Sequence, residues 1–261
     1  MVGPSEVTNP FTDVELGRLY DRGRPYLQAR AVGRITELAG TTRVRRALDV
    51  ACGTGLSSVA LRDAADVVVG CEVAPGMLAA ARRDPSVHYV LSPAERLPFS
   101  DATFDAVTVS SGLHWFDQER FFAEAGRVLG VDGWCAIYDH YFVGEMEDVL
   151  AFSSWMRESF STRYPLPPRR NTAATTETPR GFRRLGGDEY LDVVEMTHRG
   201  LVDYLLTQSN TTVAVAGGRE SRAAVRSWLS DQTDGFFDRD ESRRLRFWTV
   251  IACFGLGASR T

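Results

Sequence analysis

Two carboxylates and two glycines are the residues of this chain whose types and spacing most directly suggest chemistry. In "RALDVACGTGLSSVAL", Arg46 to Leu61, an apolar run that reads as a buried strand carries Asp49, and Gly53 and Gly55 then stand one residue apart where a strand would turn into a helix. Glycines at such a corner let backbone lie directly against a ligand, and the unpaired N–H groups of a helix starting near Leu56 would point toward it. Glu72 closes the next apolar run, where a carboxylate can accept from both hydroxyls of a ribose. Together these residues suit an adenosine-containing ligand. A tight strand-to-helix turn with nothing bound is the alternative reading of the glycines taken alone.

Charge separates the adenosine ligands from one another. A dinucleotide fingerprint wants a third glycine three positions after the second, and this chain has Ser58 there. Asp49 just ahead of the corner also puts negative charge where a pyrophosphate would lie. It favours a ligand bearing an amino group. S-adenosylmethionine carries an amino group, a sulfonium and a ribose, and no phosphate, so it is the cofactor these residues point to.

The elements that must position them alternate along the chain. "ALDVA", "DVVVGCEV", "VHYVL", "FDAVTVSS" and "GWCAIYD" are short, β-branched runs bounded by turn residues, and stretches of helical spacing such as "GMLAAARRD" and "QERFFAEAGRVLG" lie between them. That alternation predicts an α/β fold whose parallel sheet is covered on both faces. Four parts are expected: an N-terminal helical cap over residues 1–45, a cofactor-binding core over 46–141, a substrate lid over 142–210, and a C-terminal helix and final strand over 211–261. Within the third part, residues 161–189 are rich in proline, arginine and threonine and read as a long loop. After it, "EYLDVVEMTH" and "LRFWTVIACFG" read as strands, and "LVDYLLTQS" and "ESRAAVRSWLSDQ" as helices.

Bulk properties exclude several classes. A chain of 261 residues with 44% hydrophobic content can bury a sizeable core, and a formal net charge of -4 gives no electrostatic reason to bind nucleic acid or an anionic membrane. Cys52, Cys71, Cys135 and Cys253 form no C-x-x-C pair, which points away from zinc, from any other metal site and from a disulfide framework. A cytoplasmic protein is expected, since neither a signal peptide nor a membrane span is recognisable.

The segment from Asp49 to Asp139 resembles the core of the class I S-adenosylmethionine-dependent methyltransferases, in the small-molecule branch that includes trans-aconitate methyltransferase-like proteins. The resemblance rests on "LDVACGTG", "GCEVAPGML", "SPAERLPFSDATFDAVTVSSGLHWFD" and "AEAGRVLGVDGW", in that order, with weaker matches at "YDRGRPYL" and "LLTQSN". It implies a Rossmann-like sheet of seven strands, one of them antiparallel, and methyl transfer to a small molecule. A cyclase that keeps the cofactor, or a nucleotide-binding regulatory protein, are the alternatives on the same fold. By the same resemblance, Asp49 and the backbone of Ala51, Gly53, Thr54 and Gly55 would hold the methionine part. Glu72 would take the ribose, and Val73 and Met77 would flank the adenine. Ala94 and Glu95 would meet the adenine edge, although Pro93 stands where the family commonly has an aspartate. Ser110 would lie beside the methyl donor.

Substrate candidates come from the carboxyl ends of the fourth and fifth strands. His114 could act as general base, or could simply line a pocket with Trp115. His140 and Tyr141 follow the fifth strand, at the edge where open α/β sheets bind ligands. Tyr20 could close over the cofactor from the N-terminal helix. Arg157, Arg163, Arg169 and Arg170 are candidates to clamp a carboxylate substrate.

Overall fold

The computed structural model describes residue 11 and residues 13–167, 177–238 and 241–257. Helix α1 (Val14–Gly23) starts at Asp13, whose side chain accepts from the Glu15 N–H, and ends just before Pro25. Helix α2 (Gln28–Ala39) stops at Gly40, which takes the left-handed conformation that glycine adopts freely. Strand and helix then alternate through β1 (Val44–Val50), α3 (Leu56–Leu61), β2 (Ala65–Glu72), α4 (Pro75–Ala79), β3 (Val87–Leu91) and β4 (Phe104–Ser110). After a single helical turn at Leu113–Trp115, Asp117 caps α5 (Gln118–Val128), which leads into β5 (Leu129–Met146). Next, α6 (Leu150–Trp155) runs through a π-helical turn into α7 (Ser161–Arg163), followed by β6 (Phe182–Thr197), α8 (His198–Leu206), α9 (Ser209–Ala216), α10 (Arg222–Thr233) and β7 (Ser242–Leu256).

The seven strands form one sheet in the order β3-β2-β1-β4-β5-β7-β6. Strands β1 to β5 pair in parallel, while β7 is antiparallel to both of its neighbours. This is the Rossmann-like architecture expected from the sequence. Strand order reverses between β1 and β4, and in such sheets the crevice outside the carboxyl ends at that point is where a ligand fits. One face is covered by α5, with Phe121 and Phe122 against Val109 and Phe254; the other is covered by α2 and α3, with Ile35 and Leu61 near Trp134 and Tyr138. Burial on both faces is why β1, β4 and the middle of β5 read as nearly continuous apolar runs.

A third core departs from the expected divisions. Leu19 of α1, Phe152 of α6, Leu201 and Leu205 of α8 and Leu229 of α10 pack with Phe247 of β7. The platform for this cap is the far end of β5 and β7, which pair from Trp134–Gly255 out to Met146–Leu245. The expected boundary at 142 therefore falls inside β5, and the segment 142–210 supplies a whole strand, β6, to the sheet. Residues 182–189, expected in a loop, are paired with β7 instead. Their polar composition reflects an edge strand whose side chains alternate between exposed and half-buried. Of the expected loop, residues 168–176 lie outside the described residues.

The corner between β1 and α3 depends on backbone conformations that favour glycine. Gly53 and Gly55 have φ of +56° and +80°. A Cβ on Gly55 would stand 2.1 Å from the Tyr89 hydroxyl and 2.9 Å from the ring carbon that bears it. That hydroxyl is fixed by donating to the Arg82 carbonyl at 2.8 Å. Gly55 is thus required first by the fold, before any ligand approaches. Gly55→Ala should lower stability by about 1–3 kcal/mol, read as a lower urea midpoint with an unchanged slope; an unchanged midpoint would show that the corner relaxes freely.

Candidate active site

Two buried acids hold the glycine corner from behind. Asp49 is fully buried in β1; its Oδ2 accepts from the hydroxyls of Ser57 and Ser58 on α3 at 2.6 Å each, and its Oδ1 from Thr108 on β4 at 3.3 Å. Burial pushes this carboxyl up to about 6, against the pull of those hydroxyls and with added repulsion from Glu72. Glu72 ends β2 and accepts three backbone N–H groups, from Gly53 at 3.0 Å and from Val73 and Ala74 at 2.9 Å. Burial raises its pKa as well, and those N–H groups hold it back. A carboxylate has about four lone-pair sites, so Glu72 keeps capacity for a further donor.

In front of the corner lies a cleft of about 540 Å³, counted out to open solvent, at the carboxyl ends of β1, β4 and β5. Its walls include Tyr20, Arg24 and Gln28 in and between the N-terminal helices, Ala51 to Thr54 from the corner, Ser110 at the end of β4 and Ser111 after it, His140 from β5, and Tyr204 and Phe247 from the cap. Ala51 and Ser111 both hold left-handed backbone, with φ of +57° and +52°. Such strain in non-glycine residues persists where the surroundings enforce it, and it gathers at ligand sites. Three polar atoms of the walls are buried with no hydrogen-bond partner among the described residues: Arg24 Nε, Thr54 Oγ1 and His140 Nε2. The Arg24 guanidinium stands over the rings of Tyr20 and Tyr204, 4.6 and 5.1 Å from their centroids, and donates to the Thr207 carbonyl.

The expected site residues divide sharply. Tyr20, Ala51, Gly53, Thr54, Ser110 and His140 meet in the cleft. Asp49 and Glu72 lie behind it and shape it, and Met77 packs beneath Gly53, while Val73 is 53% exposed beside Glu72. Glu95 accepts from the Asp117 N–H at 2.9 Å, which ties it to the start of α5, and Ala94 is in the core. His114 and Trp115 are outside the cleft walls; their rings are 5.0 Å apart, and Trp115 meets Phe11, which also touches Tyr20. Tyr141 takes the opposite face of β5 from His140, as strand alternation requires, and its hydroxyl donates to Asp139 at 3.1 Å.

The arginine expectation is redirected. Arg163 pairs with Glu220 at 2.8 Å over the Trp228 ring, Arg157 bonds Ser154, and Arg169 and Arg170 lie outside the described residues. Among the described residues, the cation that reaches the cleft is Arg24, which sequence reasoning missed. Its signal was present in "YDRGRPY", where an arginine directly precedes the proline that ends α1.

Comparison with known proteins fits this geometry. Residues 48–137 match the methyltransferase domain family. A demethylmenaquinone methyltransferase of Beutenbergia cavernae is 42% identical over 115 residues, which is 42% of this chain and 47% of that protein. The chain spans about half the length of the curated relatives it matches. Among solved structures, a protein described as a type II methyltransferase from Anaeromyxobacter dehalogenans covers 88% of this chain and 95% of its own, at 22% identity and a TM-score of 0.66. The cyclase SpnF covers 94% and 96%, at 18% identity and a TM-score of 0.53. Likenesses at these identities show the fold and leave chemistry to the site. The matched domain contains the corner, Glu72 and Ser110. Tyr20, Arg24, His140, Tyr204 and Phe247 lie outside it. Among the described residues, no helix is long and apolar enough to cross a membrane, and no side-chain cluster is placed to hold a metal ion.

The raised Asp49 pKa has a consequence for stability. A carboxyl that binds its proton more tightly in the folded state favours folding at low pH, and that advantage fades as pH rises from the ordinary 3.8 through about 6. Relative to Asp49→Asn, the wild type should lose up to about 3 kcal/mol of stability between pH 4 and pH 7, measured by urea unfolding of both proteins. A difference that does not change with pH would place the Asp49 pKa near its ordinary value.

Proposed function

We propose that this protein transfers a methyl group from S-adenosylmethionine to a small molecule. The observation that carries the proposal is the cleft on the matched domain's glycine corner, where the Arg24 guanidinium stands in the wall and the Asp49 carboxylate lies buried behind the corner. A cation and an acid on two sides of one loop suit an amino-acid zwitterion, and a phosphate ligand would meet the acid unfavourably. Arg24 Nε and Thr54 Oγ1, both without partners, are the groups expected to receive the methionine carboxylate. Glu72 has the remaining acceptor capacity for the ribose hydroxyls, and exposed Val73 offers the adenine an apolar surface.

When bound, the cofactor supplies an electrophilic methyl group on a sulfonium. The protein's own contribution is then alignment and exclusion of water, which can remove much of the barrier to a displacement. Tyr20, Arg24, Tyr204 and Phe247 close the cleft together from the cap, with the Arg24 guanidinium over the rings of Tyr20 and Tyr204. These aromatic walls favour a substrate with a planar or apolar body, and the names of the curated relatives support the same class. Helices α6 and α8 act as part of a cap over the cleft.

Isothermal calorimetry tests the reading without knowledge of the substrate. Wild-type protein should bind S-adenosylmethionine, and Arg24→Gln should weaken it by roughly 10- to 150-fold, the range expected for losing a hydrogen bond to a charged group. Binding of NAD in place of S-adenosylmethionine, or an unchanged affinity in Arg24→Gln, would contradict the assignment.

A further inference from the structure

His140 is the one cleft residue whose orientation is fixed by a chain of side chains that the cofactor site does not need. In the sheet it is registered with Thr249 of β7, and Thr249 with Tyr190 of β6. His140 Nδ1 lies 2.8 Å from Thr249 Oγ1; that hydroxyl donates to Asp192 Oδ2 at 3.2 Å, and Asp192 Oδ1 accepts from Arg30 at 2.7 Å. Arg30 in turn lies over the Tyr190 ring, 3.9 Å from its centroid. The backbone N–H of His140 donates to Ser111 Oγ at 3.3 Å, so the residue is held from the β4 side as well.

The direction of this chain sets the tautomer. Asp192, ion-paired with Arg30, can only accept, so the single proton of the Thr249 hydroxyl lies toward it. Thr249 Oγ1 must then accept from His140, which places the imidazole proton on Nδ1 and leaves Nε2 bare. That bare nitrogen is the buried, unpartnered atom of the cleft wall. Arg24 from the end of α1 opposes a charge on the ring and Asp192 favours one, with Tyr138 and Tyr190 the other titratable groups alongside; burial dominates and pulls the His140 pKa down to about 4. The ring is therefore neutral near pH 7, with an acceptor facing the cleft.

We propose that His140 Nε2 is the proton acceptor of the cleft, and that the substrates it selects present their nucleophile as an O–H or N–H group. This rests on the methyl-transfer reading. As the substrate's oxygen or nitrogen bonds to the methyl carbon and the carbon–sulfur bond breaks, the sulfonium becomes a neutral thioether and the proton leaving the nucleophile passes to Nε2. The imidazolium so formed keeps its Nδ1–H on Thr249, with the Asp192 charge one hydroxyl away, and returns its proton to water once the cleft opens. His140 is the catalytic residue, while Thr249 and Asp192 are positioning residues. His140 lies beyond residues 48–137, the span that the family model matches.

Two readouts test the proposal separately. With 15N-labelled histidine, the His140 ring resonances, assigned by their loss in His140→Gln, should show at pH 7 a protonated Nδ1 and a bare Nε2. Thr249→Val, which keeps the shape and removes the hydroxyl, should introduce the Nε2–H form, and Thr249→Ser should restore the wild-type pattern. An Nε2–H or doubly protonated ring in the wild type, or a tautomer indifferent to Thr249→Val, would overturn the relay. In the second readout, labelled S-adenosylmethionine and a cell extract are supplied, and label is followed into the small-molecule fraction. His140→Gln that binds S-adenosylmethionine normally should transfer at least about a hundredfold less label, and Thr249→Ser should behave as wild type. Undiminished transfer by His140→Gln contradicts the acceptor alone; a wild type that transfers no label contradicts the methyl-transfer reading and leaves the tautomer result to judge the relay.

Discussion

The Asp49 carboxylate sits in the middle of the sheet without solvent, and the cleft edge of the molecule is arranged around it. Burying such a group is costly unless hydrogen bonds replace water, and the donors come from two other elements: Ser57 and Ser58 from the first turns of α3, and Thr108 from β4. Those bonds fix where α3 begins relative to β1, and so fix the glycine corner between them. Glu72 completes the frame by gathering the N–H groups of Gly53, Val73 and Ala74. The corner is held by acids from below and is left open above, at the point where the strand order reverses.

On that frame the cap supplies what the shared domain lacks. The third core joins α1 to α6, α8 and α10 over the extended ends of β5 and β7. One consequence is that Arg24 and Tyr20 approach the cleft from the same direction as Tyr204 and Phe247. Another is that His140, Thr249 and Asp192 fall on three neighbouring strands just where the sheet extends beyond its parallel part. The cleft thus draws on both parts of the chain: the corner lies inside the family match at residues 48–137, and Arg24, His140, Tyr204 and Phe247 lie outside it.

How much was legible in the sequence follows from how local each feature is. The central parallel strands and the glycine corner were readable because burial on both faces writes apolar runs, and because the corner is a contiguous motif. Strand β6 was hidden over residues 182–189, since an edge strand bearing Arg183, Arg184 and Asp188 has the composition of a loop. Helix α9, "SNTTVAVA", was missed because it is packed nearly all round and shows no apolar stripe. The relay from His140 could not be read at all: its members are 109 and 57 positions apart, and only the register of β5, β7 and β6 brings them together. The two carboxylates that the sequence singled out brace the corner, and Glu95 braces α5.

A crystal structure of the protein grown with S-adenosylhomocysteine, the demethylated form of the cofactor, tests the central claim most directly. The account predicts that the ligand lies across the corner at the carboxyl ends of β1, β4 and β5, with its carboxylate on Arg24 and its ribose hydroxyls on Glu72. Its sulfur should face the half of the cleft that holds His140. Density for the ligand elsewhere, or a cleft that stays empty at saturating ligand, would contradict it.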